Sequence, residues 1–330
     1  METEPKILSA SKIKTFENCS WLYWCNYHLK LPQKPNEGAQ RGTICHLVFE
    51  LLLNPKRKDY FKIIKKNNSI TSCRPIHRLV SKHLKKMQIN TDENFKMIDE
   101  MILVGLNNDF FIRGSVLLDP EYEFNLINDA PKYSVTGFID KAAEHAKNGT
   151  FIITDYKTSR FKFNGDDLES NIQAMIYSLV ARKIKPELRP VVKFIFLRHT
   201  KDPIQTVEFN DTALKGFEHY LEEVNKTLNT FTEEQATKRF AADKKPKGDG
   251  FNGFLLCGFA KYPNEKKKDG QTMWACPYKF GFKYFVLKDK NGKIIKSDFN
   301  NSFSPKNGET VEELTYTGCP KFKQAGVADF

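Results

Sequence analysis

The chain has 330 residues, with 52 Lys and Arg against 40 Asp and Glu for a net charge of +12, and 40% of its residues are apolar. That much apolar material excludes a disordered tail, a collagen-like repeat and a small disulfide scaffold, and leaves one large domain or two modest ones. Mean hydropathy is −0.52, no apolar run approaches the roughly 20 residues of a membrane span, and the first residues lack the basic and apolar regions of a secretory or transit peptide. A cytoplasmic protein with no membrane contact is expected, its seven irregularly spaced cysteines being reduced thiols or metal ligands.

Taken in chain order, Ser9 and Ser11 are caps for a first helix running toward Tyr27, and Leu31-Pro32 to Gly38 is a loop. Trp21, Tyr23 and Trp24 on that helix suit core packing, or stacking with single-stranded bases. The spacing of Ile44, Leu47, Val48, Leu51 and Leu52 predicts a helix over about 40–53, with His46 and Glu50 together on its other side. Between Asn54 and Lys86 eleven basic residues stand against one acid, Asp59. Such a segment fits a phosphate-binding surface, and equally a solvated helical face or a loop. A helix over 91–108 follows. Then come strand patterns around Tyr122–Leu126, Tyr133–Ile139 and Phe151–Lys157, a helix bearing Leu168, Ile172, Met175, Ile176 and Leu179, the strand Val191–Leu197 and a helix over 211–229. This order predicts a mixed sheet covered by helices. Lys244, Lys245, Lys247 and Lys266–Lys268 flank a glycine-rich stretch, Gly248 to Gly258, that reads as a loop. A hairpin is expected around Asn291-Gly292.

The chemistry lies in the strands. Asp140 ends one predicted strand, and Asp155 and Lys157 end another on one face, roughly 7 Å apart at their backbones. If the two strands pair, two carboxylates meet beside a lysine, a hard oxygen site for Mg²⁺ or Mn²⁺ that suits phosphodiester hydrolysis. Acid-x-Lys alone is a weak signal, since Glu4-x-Lys6, Asp243-x-Lys245 and Glu265-x-Lys267 also match. Only Asp155-Tyr-Lys157 follows an apolar strand. Two strand-end aspartates with a surface lysine is the plainer alternative.

Gly137-Phe-Ile-Asp140, Asp155-Tyr-Lys157 and Gln173-x-x-x-Tyr177 resemble the core motifs of the PD-(D/E)XK nucleases. The resemblance is to the RecB-like exonuclease branch, which takes in AddB, the CRISPR-associated RecB-like exonucleases and many bacteriophage homologues. Ser9-Ala-Ser11 through Phe16 and Cys19 resembles the N-terminal helix of that branch, and Arg41-Gly42-Thr-Ile-Cys-His46-x-x-x-Glu50 resembles its Gly-x-x-x-His helix. Ile139 stands where the signature has proline. The resemblance implies an α/β fold, a restriction-endonuclease-like three-layer α/β/α core with a mixed sheet and a helical, basic insertion at about 54–110. Residues 1–230 would form the nuclease core, and 231–330 a cysteine-containing extension with a small β unit, folded back on the N-terminal helix.

By the same resemblance, His46, Asp140, Asp155 and the backbone carbonyl of Tyr156 would bind Mg²⁺ or Mn²⁺. Lys157 would orient the attacking water, Gln173 and Tyr177 would reach the DNA or brace the Lys157 side, and Glu50 would orient His46 or meet solvent. Part of the branch holds a 4Fe-4S cluster, with one cysteine before the core and three after it; here Cys19 and Cys257, Cys276 and Cys319 have the right number. The tight grouping of the last three is missing, so buried thiols remain the alternative. Cys45 reads as core. The expected function is a metal-dependent DNA exonuclease in recombination, repair or replication, phage-encoded and acting in the host cytoplasm, on single- or double-stranded ends and alongside recombination or replication proteins. The alternative is a catalytically inactive DNA-binding accessory protein on the same fold.

Overall fold

The computed structural model describes residues 7–244 and 254–323; Lys245, Lys247 and the glycine-rich stretch as far as Gly253 lie outside the described residues. The chain divides into two compact units, one of the residues up to Ala10 with Pro35–Lys226, the other of Ser11–Lys34 with the chain from Thr227. The helices α1 (Ala10–Asn18) and α2 (Ser20–Tyr27) are therefore grouped with the C-terminal segment rather than with the core that follows them in sequence.

In the first unit α3 (Glu37–Leu53) begins at Asn36, whose side chain accepts the Gly38 and Ala39 N–H groups as an N-cap does. The basic segment is helical: α4 (Lys58–Asn67) and α5 (Arg74–Lys86) precede α6 (Asp92–Asn107), capped by Thr91. Ile76, Val80 and Leu84, four apart on α5, are buried, while Arg74, Arg78, Lys82 and Lys85 are exposed on its other side. The insertion is thus packed through its apolar stripe. Its Ile64, Val80 and Leu84 share one core with Ile44, Val48 and Leu52 of α3 and with Tyr156, Ile195 and Leu197.

The strands are β1 (Ile7–Leu8), β2 (Val116–Leu117), β3 (Tyr122–Asp129), β4 (Lys132–Ile139), β5 (Lys141–His145), β6 (Thr150–Lys157), β7 (Arg189–Phe196) and β8 (Ile204–Val207). They form a sheet β1-β4-β3 and a mixed sheet β2-β5-β6-β7-β8, in which β6 and β7 run parallel and the other pairs antiparallel. The strand that carries the first aspartate does not itself pair with the strand that carries the second. β4 pairs with β3, the chain breaks at Asp140, and β5 pairs with β6 so that Lys141 faces Thr154. Asp140 therefore lies at the end of this hairpin, across from Asp155. The helix expected from Leu168 to Leu179 is two, α7 (Gly165–Glu169) and α8 (Ile172–Ile184). Asn171 separates them because its side chain accepts the Ala174 N–H and starts a new helix. α9 (Asp211–Asn229) follows.

The second unit adds α10 (Glu233–Ala236), α11 (Phe254–Cys257), an antiparallel three-stranded sheet and α12 (Pro320–Lys323). The expected hairpin is β9 (Phe282–Lys288) with β10 (Ile294–Asp298); Asp289 accepts the Asn291 and Lys293 N–H groups in its turn. β11 (Thr310–Tyr316) lies on the other side of β9. Trp21 and Tyr23 are buried: Trp21 Nε1 donates to Tyr316 Oη at 2.8 Å, and Phe16 and Tyr23 meet Phe231 edge-on. These rings are core. Among the described residues no helix is long and apolar enough to cross a membrane.

Candidate active site

The site gathers at the C-terminal end of β6, where α3 approaches from one face of the sheet and α8 from the other. Gly42 brings α3 close to the end of β6: a Cβ there would lie 3.0 Å from Thr158 Oγ1, so that side chain would have to give by a few tenths of an ångström. One turn on, His46 Nδ1 is 3.0 Å from Asp140 Oδ1. The other oxygen of Asp140 accepts the Tyr156 N–H at 2.7 Å, so the carboxylate is held between helix and strand. Glu50 is exposed and has no bond to His46 among the described residues.

Asp155 faces the opposite helix. Its Oδ1 accepts from Gln173 Nε2 at 2.7 Å and lies 3.1 Å from Tyr177 Oη. Lys157 Nζ is 2.8 Å from Asp155 Oδ2 and donates to Gln173 Oε1 at 2.6 Å. Tyr177 Oη also lies 2.9 Å from the Phe138 carbonyl; its single hydrogen serves one acceptor at a time. Gln173 and Tyr177 therefore brace Asp155 and Lys157, and Tyr177, almost wholly buried, is not on the surface.

Sequence reasoning missed Glu121. Its carboxylate joins His46 and Asp140 in the one group among the described residues whose three ligand atoms all lie within 4.8 Å of one another. It stands one residue before the Tyr122–Leu126 pattern, where neither spacing nor motif marks it. Its backbone is left-handed, φ +52°, a conformation uncommon for a residue with a Cβ, and its N–H donates to the Asp140 carbonyl. That turn points the side chain away from the strand alternation and toward the imidazole.

Electrostatically, the site favours a cation. Asp155 is 3% exposed; burial raises its pKa, with Lys157 opposing and Asp140 adding to the rise. Asp155 Oδ2 faces the Lys157 ammonium at 2.8 Å, and because a carboxylate oxygen carries two lone pairs, one remains for a ligand. Burial lowers the His46 pKa, but its hydrogen bond to Asp140 and the charges of Asp140, Asp155 and Glu121 outweigh this and raise it to about 9. A proton thus holds the carboxylates together where a divalent ion fits: imidazole and carboxylate oxygens are donors that hard or borderline cations accept. Because a ligating imidazole must be neutral, Mn²⁺ binding at pH 7 is expected to release close to one proton, and none well above pH 9. Calorimetry in buffers of different ionisation enthalpy checks this.

On the Tyr156 side of the hairpin Lys141 is buried, donates to the Phe110 carbonyl, and lies 5.5 Å from the centres of the Phe110 and Tyr156 rings. Burial lowers its pKa to about 7. With Phe49 stacked on Tyr156 at 4.2 Å, it fixes the residue that donates to Asp140.

In the second unit Cys19, Cys257, Cys276 and Cys319 line one small cavity with Trp21, Lys279 and Phe322. All four are free thiols. Cys276 N–H donates to the Cys257 carbonyl at 3.0 Å and Cys319 N–H to that of Lys279, so chain pairing brings together thiols far apart in sequence. Burial raises Cys276 and Cys319 to about 12 and also raises Cys257. Cys45 is core, raised by burial to about 12.

The fold is of restriction-endonuclease-like architecture, and it brings the candidate residues His46, Asp140, Asp155 and Lys157 to the end of β6. The profile of the PD-(D/E)XK nuclease superfamily matches residues 7–259, and the chain belongs to that superfamily. No curated protein matches the sequence. Among solved structures, a "putative exonuclease" from Eubacterium rectale aligns over 74% of this chain and 91% of its own, at 13% identity and a TM-score of 0.42, a likeness too slight to add to the assignment.

Proposed function

We propose that the protein is a Mg²⁺- or Mn²⁺-dependent deoxyribonuclease that degrades DNA from its ends during recombination, repair or replication. The observation behind this reading is the convergence of His46, Asp140, Asp155 and Lys157 on one site. A degenerate, purely DNA-binding descendant would be expected to have lost one of the four. His46, Asp140, Asp155 and the Tyr156 carbonyl would hold the ion, with Glu121 as a further ligand. The ion would supply Lewis-acid activation of water and neutralise charge on the phosphoryl oxygens. Lys157, held by Asp155 and Gln173, would orient the attacking water and stabilise the negative charge developing at phosphorus. End-labelled linear DNA and closed circular DNA, incubated with each metal, test the proposal. Degradation of the linear form alone is expected; equal cutting of the circle would overturn the exonuclease assignment, and no cutting of either would overturn the nuclease. Action in the cytoplasm, with recombination or replication proteins and in a phage context, belongs to the same reading.

The outer face of α4 and α5 supports DNA as the polymer. Lys56, Lys58, Lys66, Arg74, Arg78, Lys82, Lys85 and Lys86 have no acidic partner among the described residues, and all eight are exposed. Replacing Arg74, Arg78 and Lys82 together by Ala should reduce the slope of log affinity against log salt by about 3 for duplex DNA, about one for each phosphate no longer neutralised. An unchanged slope in a binding titration would place the DNA elsewhere.

The four-cysteine cavity supports a 4Fe-4S cluster as a second cofactor. The donor set is all thiol, which suits soft iron–sulfur ligation. Cys19 to the N-terminal side and the other three to the C-terminal side would then be tied by one group within the second unit.

A further inference from the structure

Phe161 is the most exposed large apolar side chain among the described residues, at 79%, and nothing in the nuclease chemistry uses it. It lies four residues after Lys157, so at most about 14 Å of extended chain separates them. An exposed aromatic on a loose loop would mean little, but this loop is fastened on both sides of the ring. Ser159 Oγ donates to the Phe161 carbonyl at 3.0 Å, and His199 Nε2 lies 3.1 Å from the Arg160 carbonyl. Lys162 pairs with Asp202 at 3.0 Å. Phe163 exchanges two hydrogen bonds with the Gln205 side chain, and its ring meets Phe194 and Phe196 edge-on. The neighbouring aromatic, Phe163, is packed inward while Phe161 is held outward. Arg160, also exposed, has no side-chain partner among the described residues, and so sets a free cation beside the ring.

From this geometry we infer that Phe161, with Arg160 on a neighbouring phosphate, is a base-stacking platform that holds an unpaired nucleobase next to the scissile phosphate. The inference rests on the nuclease reading and assigns it a substrate form, single-stranded DNA or the unpaired end of a duplex. A face-exposed ring accepts any base, so the platform selects for unstacked strands rather than for sequence. Within a paired duplex the base faces are covered by their neighbours, and the ring has nothing to stack on. Because the loop is already ordered, binding costs little conformational entropy.

The test measures binding of short single-stranded DNA by fluorescence anisotropy, with Ca²⁺ in place of the catalytic metal, and cleavage of the same strands with Mn²⁺. One abasic residue is moved along the strand through successive positions. With the parent protein, one or two adjacent positions should weaken binding roughly 5- to 150-fold, the worth of a single stacked base. Phe161→Ala should bind the intact strand weakly by a similar factor and lose the position dependence, because ring and base are two halves of one contact. Phe161→Trp should restore both, whereas Phe161→Leu, apolar but without a π face, should restore neither. A flat abasic profile in the parent, or Phe161→Ala indistinguishable from it, would overturn the platform while Asp155-dependent cleavage still upheld the nuclease. Absence of cleavage would overturn the nuclease, and the anisotropy profile would then decide the platform by itself.

Discussion

Asp155→Asn is expected to lower metal-dependent DNA cleavage by about 10³-fold or more, with no loss of the folded state. The substitution is selective because the two oxygens of Asp155 do different things. Oδ1 accepts from Gln173 and lies beside Tyr177, and an asparagine oxygen can keep both contacts. Oδ2, which faces the Lys157 ammonium at 2.8 Å, is the one replaced by an amide that donates rather than binds a cation. Removing a single preorganised group that stabilises transition-state charge costs about 10²–10³, and here the loss of a metal ligand is added. The sign of the pH effect on stability follows from the same burial. The raised pKa of Asp155 means that its contribution to metal-free stability is fully present at low pH and is lost as pH rises through the folded-state value. Asparagine, having no charge to bury, should remove that component, so the metal-free variant should gain in unfolding midpoint at neutral pH relative to the parent. Mn²⁺ should raise the midpoint of the parent and barely move the variant. A variant that still cleaves at a tenth of the parent rate would remove Asp155 from the metal site.

Cys276→Ser is the second large effect. Protein prepared without oxygen should be brown in the parent and colourless in the variant, and the variant should lose roughly 10 °C or more in unfolding midpoint, since metal-group binding of this kind is worth several kcal/mol of folding free energy. Cys45→Ser, which touches only the core of the first unit, should stay brown. That comparison separates ligation from the general cost of polar substitution in a packed interior. An iron-free parent would mean that the four thiols are ordinary buried cysteines.

The placement of the candidate residues of the first unit was legible because its signals are local. Asp155-Tyr-Lys157 ends an apolar strand, where alternation alone puts both charges on one face. Gln173 and Tyr177 share a face because they stand four apart on a helix. The apolar positions of α3, at helical spacing, left His46 on the other side. Glu121 was not legible, because its position depends on a left-handed backbone turn that follows no periodicity. The pairing of Asp140 with the site was legible only conditionally. The strand that carries it pairs elsewhere, and a break at Asp140 starts the hairpin that brings it across from Asp155.

The cysteines and the unit boundary lie at the other extreme. Eighteen residues intervene between Cys257 and Cys276 and forty-two between Cys276 and Cys319, and no rule of spacing joins them. Backbone pairing at Cys257 and Cys276 and at Lys279 and Cys319 closes those gaps. The grouping of Ser11–Lys34 with the chain from Thr227 depends on rings almost three hundred residues apart, such as Trp21 and Tyr316. The charge of the insertion, the order of helices and strands, and the acids and lysine of one family motif each follow from neighbours within a few residues. Only the tertiary structure decided which carboxylate joins His46 besides Asp140, how four distant thiols come to line one cavity, and that a phenylalanine four residues past Lys157 is held out to solvent. Those depend on contacts between segments whose separation along the chain says nothing about their distance in space.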